Sequence, residues 1–95
     1  MREIEQDINE GCDAVIVKPA LSYLDVISKV KDRFSIPIIG YCVSGVYSMI
    51  KSASKENLIQ EIDVTMEILF SIKRAGATAI ITYSAIEIAR KLNKE

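Results

Sequence analysis

Lys18 closes the apolar run Ala14-Val15-Ile16-Val17 and is followed at once by Pro19. A run of that length suits a buried strand, so the residue after it brings a primary amine to the strand's carboxyl end. Two later segments repeat the arrangement. Ile36-Pro37-Ile38-Ile39-Gly40-Tyr41-Cys42-Val43 runs into Ser44-Gly45, and Ala79-Ile80-Ile81-Thr82 runs into Tyr83-Ser84. Three strands would therefore deliver an amine, a hydroxyl and a phenol to one rim. In parallel α/β proteins that rim is where ligands bind and chemistry occurs.

A lysine in this position reads either as a surface residue that has emerged from the sheet or as a nucleophile that forms a Schiff base with a carbonyl substrate. The second role needs the neutral amine, which desolvation or a neighbouring cation favours. Ser44 reads equally as a turn residue before Gly45, and Tyr83 as a half-buried core tyrosine. Taken with Lys18, however, a hydroxyl and a phenol across the rim could hydrogen-bond a substrate carboxylate. Position alone leaves both sets of readings open.

The elements that must hold these residues alternate in hydrophobic period along the chain. Arg2 to Glu10 reads as a short helix with Ile4 and Ile8 one turn apart, and Gly11 supplies the left-handed residue that commonly ends a helix. A strand over 13–18 follows. Ser22-Tyr23-Leu24-Asp25 has the spacing of a capping box, and Leu24, Ile27, Val30 and Phe34 mark a helical stripe through residue 34. Pro37 lies near the start of the second strand, where a missing N–H is best tolerated.

Beyond Ser44-Gly45 the pattern predicts a short helix over 46–53 and a long one over about 56–74, with the stripe Leu58/Ile59, Ile62, Met66, Leu69, Phe70 and Lys73. Gly76 ends it, a third strand follows, and a final helix covers roughly 85–93. The helix-Gly-strand order of Gly11-Cys12-Asp13-Ala14-Val15-Ile16-Val17 recurs in Gly76-Ala77-Thr78-Ala79-Ile80-Ile81-Thr82. Three strands and about four helices in such repeated units imply a parallel sheet within one continuous α/β unit. Three parallel strands leave two unpaired edges and would normally be covered on both faces, so the unit reads as an incomplete one. A closed β/α barrel needs eight such strands, and the chain reads as the last three-eighths of one.

Composition narrows the class further. At 95 residues, with 49% hydrophobic and 26% charged residues, the chain has the profile of an ordinary globular protein. A net charge of -1 and the lack of any Lys/Arg block argue against nucleic acid or an anionic membrane as partner. The apolar runs are too short to span a bilayer, and the start MREIEQD does not read as a signal peptide, so a cytoplasmic protein is expected. Two cysteines, Cys12 and Cys42, lack C-x-x-C spacing, and the chain contains no histidine. That argues against a chain-internal metal site and for reduced, buried thiols.

Several blocks resemble the carboxyl-terminal part of the delta-aminolevulinic acid dehydratase (porphobilinogen synthase) family. They are Ile16-Val17-Lys18-Pro19-Ala20 with Tyr23-Leu24-Asp25, Tyr41-Cys42-Val43-Ser44-Gly45 with Tyr47 and Met49, Ser71-Ile72-Lys73-Arg74-Ala75-Gly76-Ala77, and Thr82-Tyr83. They run in order along essentially the whole chain. The resemblance implies a partial (β/α)8 TIM barrel, its last three parallel β/α units, with residues 1–95 as a single carboxyl-terminal piece of that domain. It also implies an enzyme of tetrapyrrole and heme biosynthesis that condenses two molecules of 5-aminolevulinate, with loss of water, to porphobilinogen.

By the resemblance, Lys18 matches the lysine that forms the Schiff base with the first-bound substrate, and Ser44 and Tyr83 match the residues that hold its carboxylate. Tyr41 lies beside the same pocket, chiefly as a packing residue. The family's second lysine, the residues for the second carboxylate, the lid and the zinc or magnesium that members often use belong to upstream segments, so no cofactor is expected in this one. The expected partners are 5-aminolevulinate and either a second copy of the chain or a complementary barrel fragment. These 95 residues are not expected to catalyse the condensation alone. Two positions depart from the family pattern: Val46 stands where an acidic residue usually follows V-S-G, and Ser84 where an aromatic commonly follows the tyrosine.

Overall fold

Two helices end in the same way, at Gly11 and at Gly76, and each ending launches a strand. The computed structural model describes residues 2–94. Helix α1, Arg2–Asn9, runs out at Gly11, whose φ of 96° lies in the region that side chains disfavour. The Gly11 N–H donates to the Ile8 carbonyl at 3.0 Å and the Cys12 N–H to the Asp7 carbonyl at 3.2 Å, the paired bonds of a Schellman turn. Gly76, with φ of 129°, repeats the turn through Gly76 N–H to Lys73 at 3.0 Å and Ala77 N–H to Ile72 at 3.3 Å. The helix-Gly-strand echo in the sequence is thus a repeated piece of backbone geometry.

The strands are β1, Val15–Val17, β2, Ile38–Tyr41, and β3, Ala79–Ile81. They form one parallel sheet in the order β1-β2-β3, with Ile16 opposite Ile39, Val17 opposite Gly40, Ile39 opposite Ala79 and Tyr41 opposite Ile81. The remaining helices are α2, Leu24–Arg33, α3, Ser44–Lys55, α4, Glu61–Ala75, and α5, Ala85–Lys94, so the described residues hold five α-helices rather than about four.

Side chains alternate between the two faces of a strand. On one face Val15, Val17 and Ile38 are buried beneath Ile27 and Val30 of α2 and Ile72 of α4, and this cluster is the core. Ile4 and Ile8 of α1 pack against it. At Gly40, α4 presses close to the sheet: a Cβ there would lie 2.7 Å from Ile72 Cγ2 and 3.3 Å from the Ala20 methyl. On the opposite face, Ile16 is 59% exposed and Ile81 44%. No helix among the described residues covers that side. The Cα radius of gyration of 14.6 Å exceeds the roughly 12 Å of a closed domain of this length, as expected for a sheet with helices on one side.

Four local expectations are corrected. A 3-10 turn over Leu21–Tyr23 precedes α2 and no side chain caps that helix, so the Ser22 capping box does not form; the Tyr23 N–H bonds back to the Ala20 carbonyl instead. The long helix begins at Glu61, not near residue 56, because α3 runs on to Lys55 and ends in a third Schellman turn with Asn57 at φ 61°. Its sheet-facing stripe is Thr65, Ile68 and Ile72, whereas Met66, Leu69, Phe70 and Lys73 line an open apolar groove of about 320 Å³ against β3 and α5, and Leu58 is exposed. The helix is apolar over a broad arc, and only packing decides which edge of that arc meets the sheet. Finally, Cys12 and Cys42 are free but only half-buried.

Candidate functional site

Because the strands are parallel, their carboxyl ends lie together, and two backbone hydrogen bonds tie this rim beyond the ladder. The Ala20 N–H donates to the Tyr41 carbonyl at 3.0 Å and the Cys42 N–H to the Ile81 carbonyl at 2.8 Å. Lys18, Ser44 and Tyr83 all belong to this rim. Lys18 follows β1 directly and is exposed, Ser44 is the first residue of α3 and exposed, and Tyr83 sits in the turn between β3 and α5. No hydrogen bond or ion pair joins the three to one another among the described residues.

Lys18 and Tyr83 each have an aromatic neighbour. The register that pairs Val17 with Gly40 brings Lys18 level with Tyr41, and the Lys18 Nζ lies 5.0 Å from the Tyr41 ring centroid. A cation over an exposed aromatic face gains about 0.5–1 kcal/mol, enough to bias the stem of Lys18 toward the uncovered side of the sheet. Tyr41 therefore does more than pack: its ring carries the amine. The Lys18-Pro19 peptide is cis. Tyr83 is 58% exposed and its ring stands 5.5 Å from that of Tyr47, tilted by 40°.

A further cluster supports the Tyr83 side of the rim and was not singled out from the sequence. Lys51 on α3 places its Nζ 5.3 Å from the Tyr47 centroid, 2.8 Å from Glu61 Oε1 and 3.9 Å from Glu87 Oε1. The hydrogen bond to Glu61 raises the Lys51 ammonium above its ordinary pKa, with both carboxylates reinforcing the effect. Tyr47 and Lys51 are four residues apart on one helix face, a spacing at which side chains meet. Glu61 and Glu87 lie in the first turns of α4 and α5, where an acid favours the helix dipole. Those two local signals were present in the sequence, but their convergence was not.

Behind the rim, Cys42, Val46, Tyr47, Thr82 and the buried Ser84 surround a small void of about 20 Å³. Ser84 donates its N–H to Thr82 Oγ1 at 3.2 Å, which shapes the turn that presents Tyr83. Burial pushes the Cys42 thiol above its ordinary pKa, against a smaller lowering by its hydrogen bond with Thr82. No three His, Cys, Asp or Glu residues among those described cluster so as to hold a metal ion. No helix among them is long and apolar enough to cross a membrane.

The arrangement can present an amine and two hydroxyl groups to a small carbonyl acid at one open rim. Comparison with known proteins gives this geometry a context. A family model described as delta-aminolevulinic acid dehydratase matches residues 1–91. The chain is 53% identical over 94 residues to the delta-aminolevulinic acid dehydratase of Staphylococcus aureus strain Mu50, a match that covers 99% of this chain and 29% of that protein. It is 56% identical over 92 residues to that of Archaeoglobus fulgidus, covering 97% and 28% respectively. In three dimensions it is similar to the delta-aminolevulinic acid dehydratase (porphobilinogen synthase) of Toxoplasma gondii ME49 solved with the reaction product porphobilinogen. The TM-score is 0.91 at 46% identity, over 95% of this chain and 26% of that one. The chain thus spans less than a third of the length of these relatives.

Proposed function

The chain belongs to the delta-aminolevulinic acid dehydratase family, and from that membership we propose that residues 1–95 are the last three β/α units of a (β/α)8 barrel. The observation that carries this reading is the uncovered apolar face of the sheet. Barrel interiors are filled by layers of inward side chains. Ile16, Ile39 and Ala79 share one such level, and Lys18, Tyr41 and Ile81 share the next toward the carboxyl rim. The remaining strands of a barrel would pair the free edges of β1 and β3 and bury both levels.

In the complete barrel the chemistry is the condensation of two 5-aminolevulinate molecules to porphobilinogen. The neutral amine of Lys18 attacks the ketone carbon of the first-bound molecule. The ketone oxygen then takes up protons and leaves as water, so that Lys18 Nζ becomes the imine nitrogen. The Ser44 hydroxyl and the Tyr83 phenol donate hydrogen bonds to the carboxylate at the far end of the substrate. That grip holds the ketone over Lys18 and turns an encounter between two molecules into a reaction within one complex. The zinc or magnesium that members of the family often use finds no matching ligand set among the described residues.

These 95 residues do not sustain the condensation by themselves, because the rim is open to water and the groups for the second substrate are not among them. Borohydride reduction of the purified chain with 5-aminolevulinate, followed by peptide mass analysis, tests the assignment. Modification at Lys18, abolished in Lys18→Met, is the expected result, and an unmodified Lys18 overturns it. Sustained porphobilinogen formation by the chain alone would overturn the claim of inactivity.

A second reading is favoured by the exposed sheet face and edges: a non-catalytic assembly module that pairs with a complementary barrel fragment or with itself. Light scattering across a concentration series tests this second reading. A folded monomer at all concentrations, unchanged by a polypeptide carrying the missing strands, counts against the module.

A further inference from the structure

Three helices meet at one cation. Lys51 leaves α3, forms an ion pair with Glu61 at the start of α4 and approaches Glu87 in the first turn of α5, while the same ammonium lies over the Tyr47 ring. Tyr47 in turn stacks at 5.5 Å on Tyr83. Tyr83 itself is in a turn, is more than half exposed and makes no hydrogen bond through its side chain among the described residues. The Tyr47 ring is the aromatic partner it has among the described residues.

Resting on the reading of Tyr83 as a carboxylate-binding residue, we propose that Lys51 is a positioning residue that, through the Tyr47 ring, holds Tyr83 toward the substrate rim. The physical chain has three links. Two carboxylates on separate helices locate the ammonium, so its position follows α4 and α5 and not only its own flexible stem. The located cation attracts the Tyr47 ring face. The fixed ring offers Tyr83 a tilted aromatic partner, a geometry that aromatic pairs prefer to face-to-face contact. Tyr83 lies two residues before α5 and Glu87 lies within its first turn, so the same ion pair that reaches Glu87 also fixes the base of the Tyr83 turn.

This role differs from a generic surface salt bridge. Exposed pairs contribute little to stability, so loss of Lys51 need not unfold the chain. What it removes is the bias on two rings. Arginine keeps the charge and can stack on an aromatic face, whereas methionine keeps the apolar stem and loses the charge.

The test uses the 95-residue chain labelled with 13C at tyrosine. In Lys51→Met the Tyr47–Tyr83 ring NOEs are lost and the Tyr83 ring resonances move toward free tyrosine, while Lys51→Arg keeps both. An unchanged Tyr83 signature in Lys51→Met overturns the proposal. Should Lys51→Met fail to fold, the unmodified chain in 1 M salt and the pair Glu61→Gln/Glu87→Gln decide instead. Screening to about 3 Å should weaken the same NOEs, and their persistence in both overturns it.

Titration with 5-aminolevulinate reads the consequence as about two- to fivefold weaker binding in Lys51→Met, the range of an exposed cation–π contact. Failure of the underlying reading shows separately, as unchanged affinity in Tyr83→Phe.

Discussion

Gly40→Ala is expected to loosen the attachment of α4 to the sheet directly beneath the residues that lead to Ser44. The added Cβ would lie 2.7 Å from Ile72 Cγ2 and 3.3 Å from the Ala20 methyl, while carbon atoms at rest sit about 3.5–4.0 Å apart. Ile72 is fully buried, so its branch can yield only by displacing its packed neighbours. Overpacking of this kind costs about 1–3 kcal/mol. Replacing a strand glycine recovers roughly 0.5–1 kcal/mol through the unfolded chain. The net loss is therefore about 0–2.5 kcal/mol, with about 1 kcal/mol as its middle, and 1 kcal/mol corresponds to a drop in Tm of about 4–8 °C for a domain of this size.

Urea unfolding followed by circular dichroism measures the loss directly, as a lower midpoint at unchanged slope. Ile72→Leu supplies the control, because leucine lacks the Cγ2 branch that meets the new methyl group while conserving volume, at a cost below about 1.5 kcal/mol. The double variant should be more stable than the sum of the two losses by about 1 kcal/mol, since the side chains are in contact. A midpoint for Gly40→Ala above that of the parent chain, or strict additivity in the cycle, would refute the close approach of α4 to β2.

Two further predictions concern the helix ends and the thiols. Gly76→Ala should destabilise the chain by about 2–4 kcal/mol and Gly11→Ala by only about 1 kcal/mol in urea unfolding. Both residues have positive φ, but a Cβ at Gly76 runs into the Lys31 side chain whereas at Gly11 nothing lies within 4 Å. Equal losses would show that the Lys31 contact is immaterial. Cys42 holds its proton above the ordinary thiol value of 9.0 because burial disfavours the thiolate. The folded state therefore binds that proton more tightly than the unfolded state. The resulting stability is fully present below 9.0 and is lost as pH rises through the higher folded value. Cys42→Ala should flatten that decline, and Thr82→Val should move the inflection for iodoacetamide alkylation, measured in a Cys12→Ser background, to still higher pH. An inflection at or below 9.0 in the parent chain would contradict the burial.

The strands were legible because each is a short apolar run placed between turn-forming residues, and two of the three helix endings that matter were legible because only glycine enters their backbone region readily. The third, at Asn57, was not: asparagine tolerates that region but does not announce it, and the apolar pattern runs on across it from α3 toward α4. The stripe of α4 was misread for a related reason. Periodicity locates an apolar arc on a helix, but β2 with its glycine at position 40 admits one edge of that arc and leaves the other facing α5.

Local order along the chain was therefore enough to place Lys18, Ser44 and Tyr83 at the ends of three strands, since strand direction and side-chain alternation follow from pattern alone. The resemblance of the surrounding blocks then supplied the family. Tertiary structure decided what surrounds those residues: the Tyr41 ring under Lys18, the Tyr47 ring against Tyr83, and the meeting of Lys51 with Glu61 and Glu87 from two other helices. Contacts between residues 10 and 36 positions apart depend on how the helices pack across the sheet, and no local spacing encodes them.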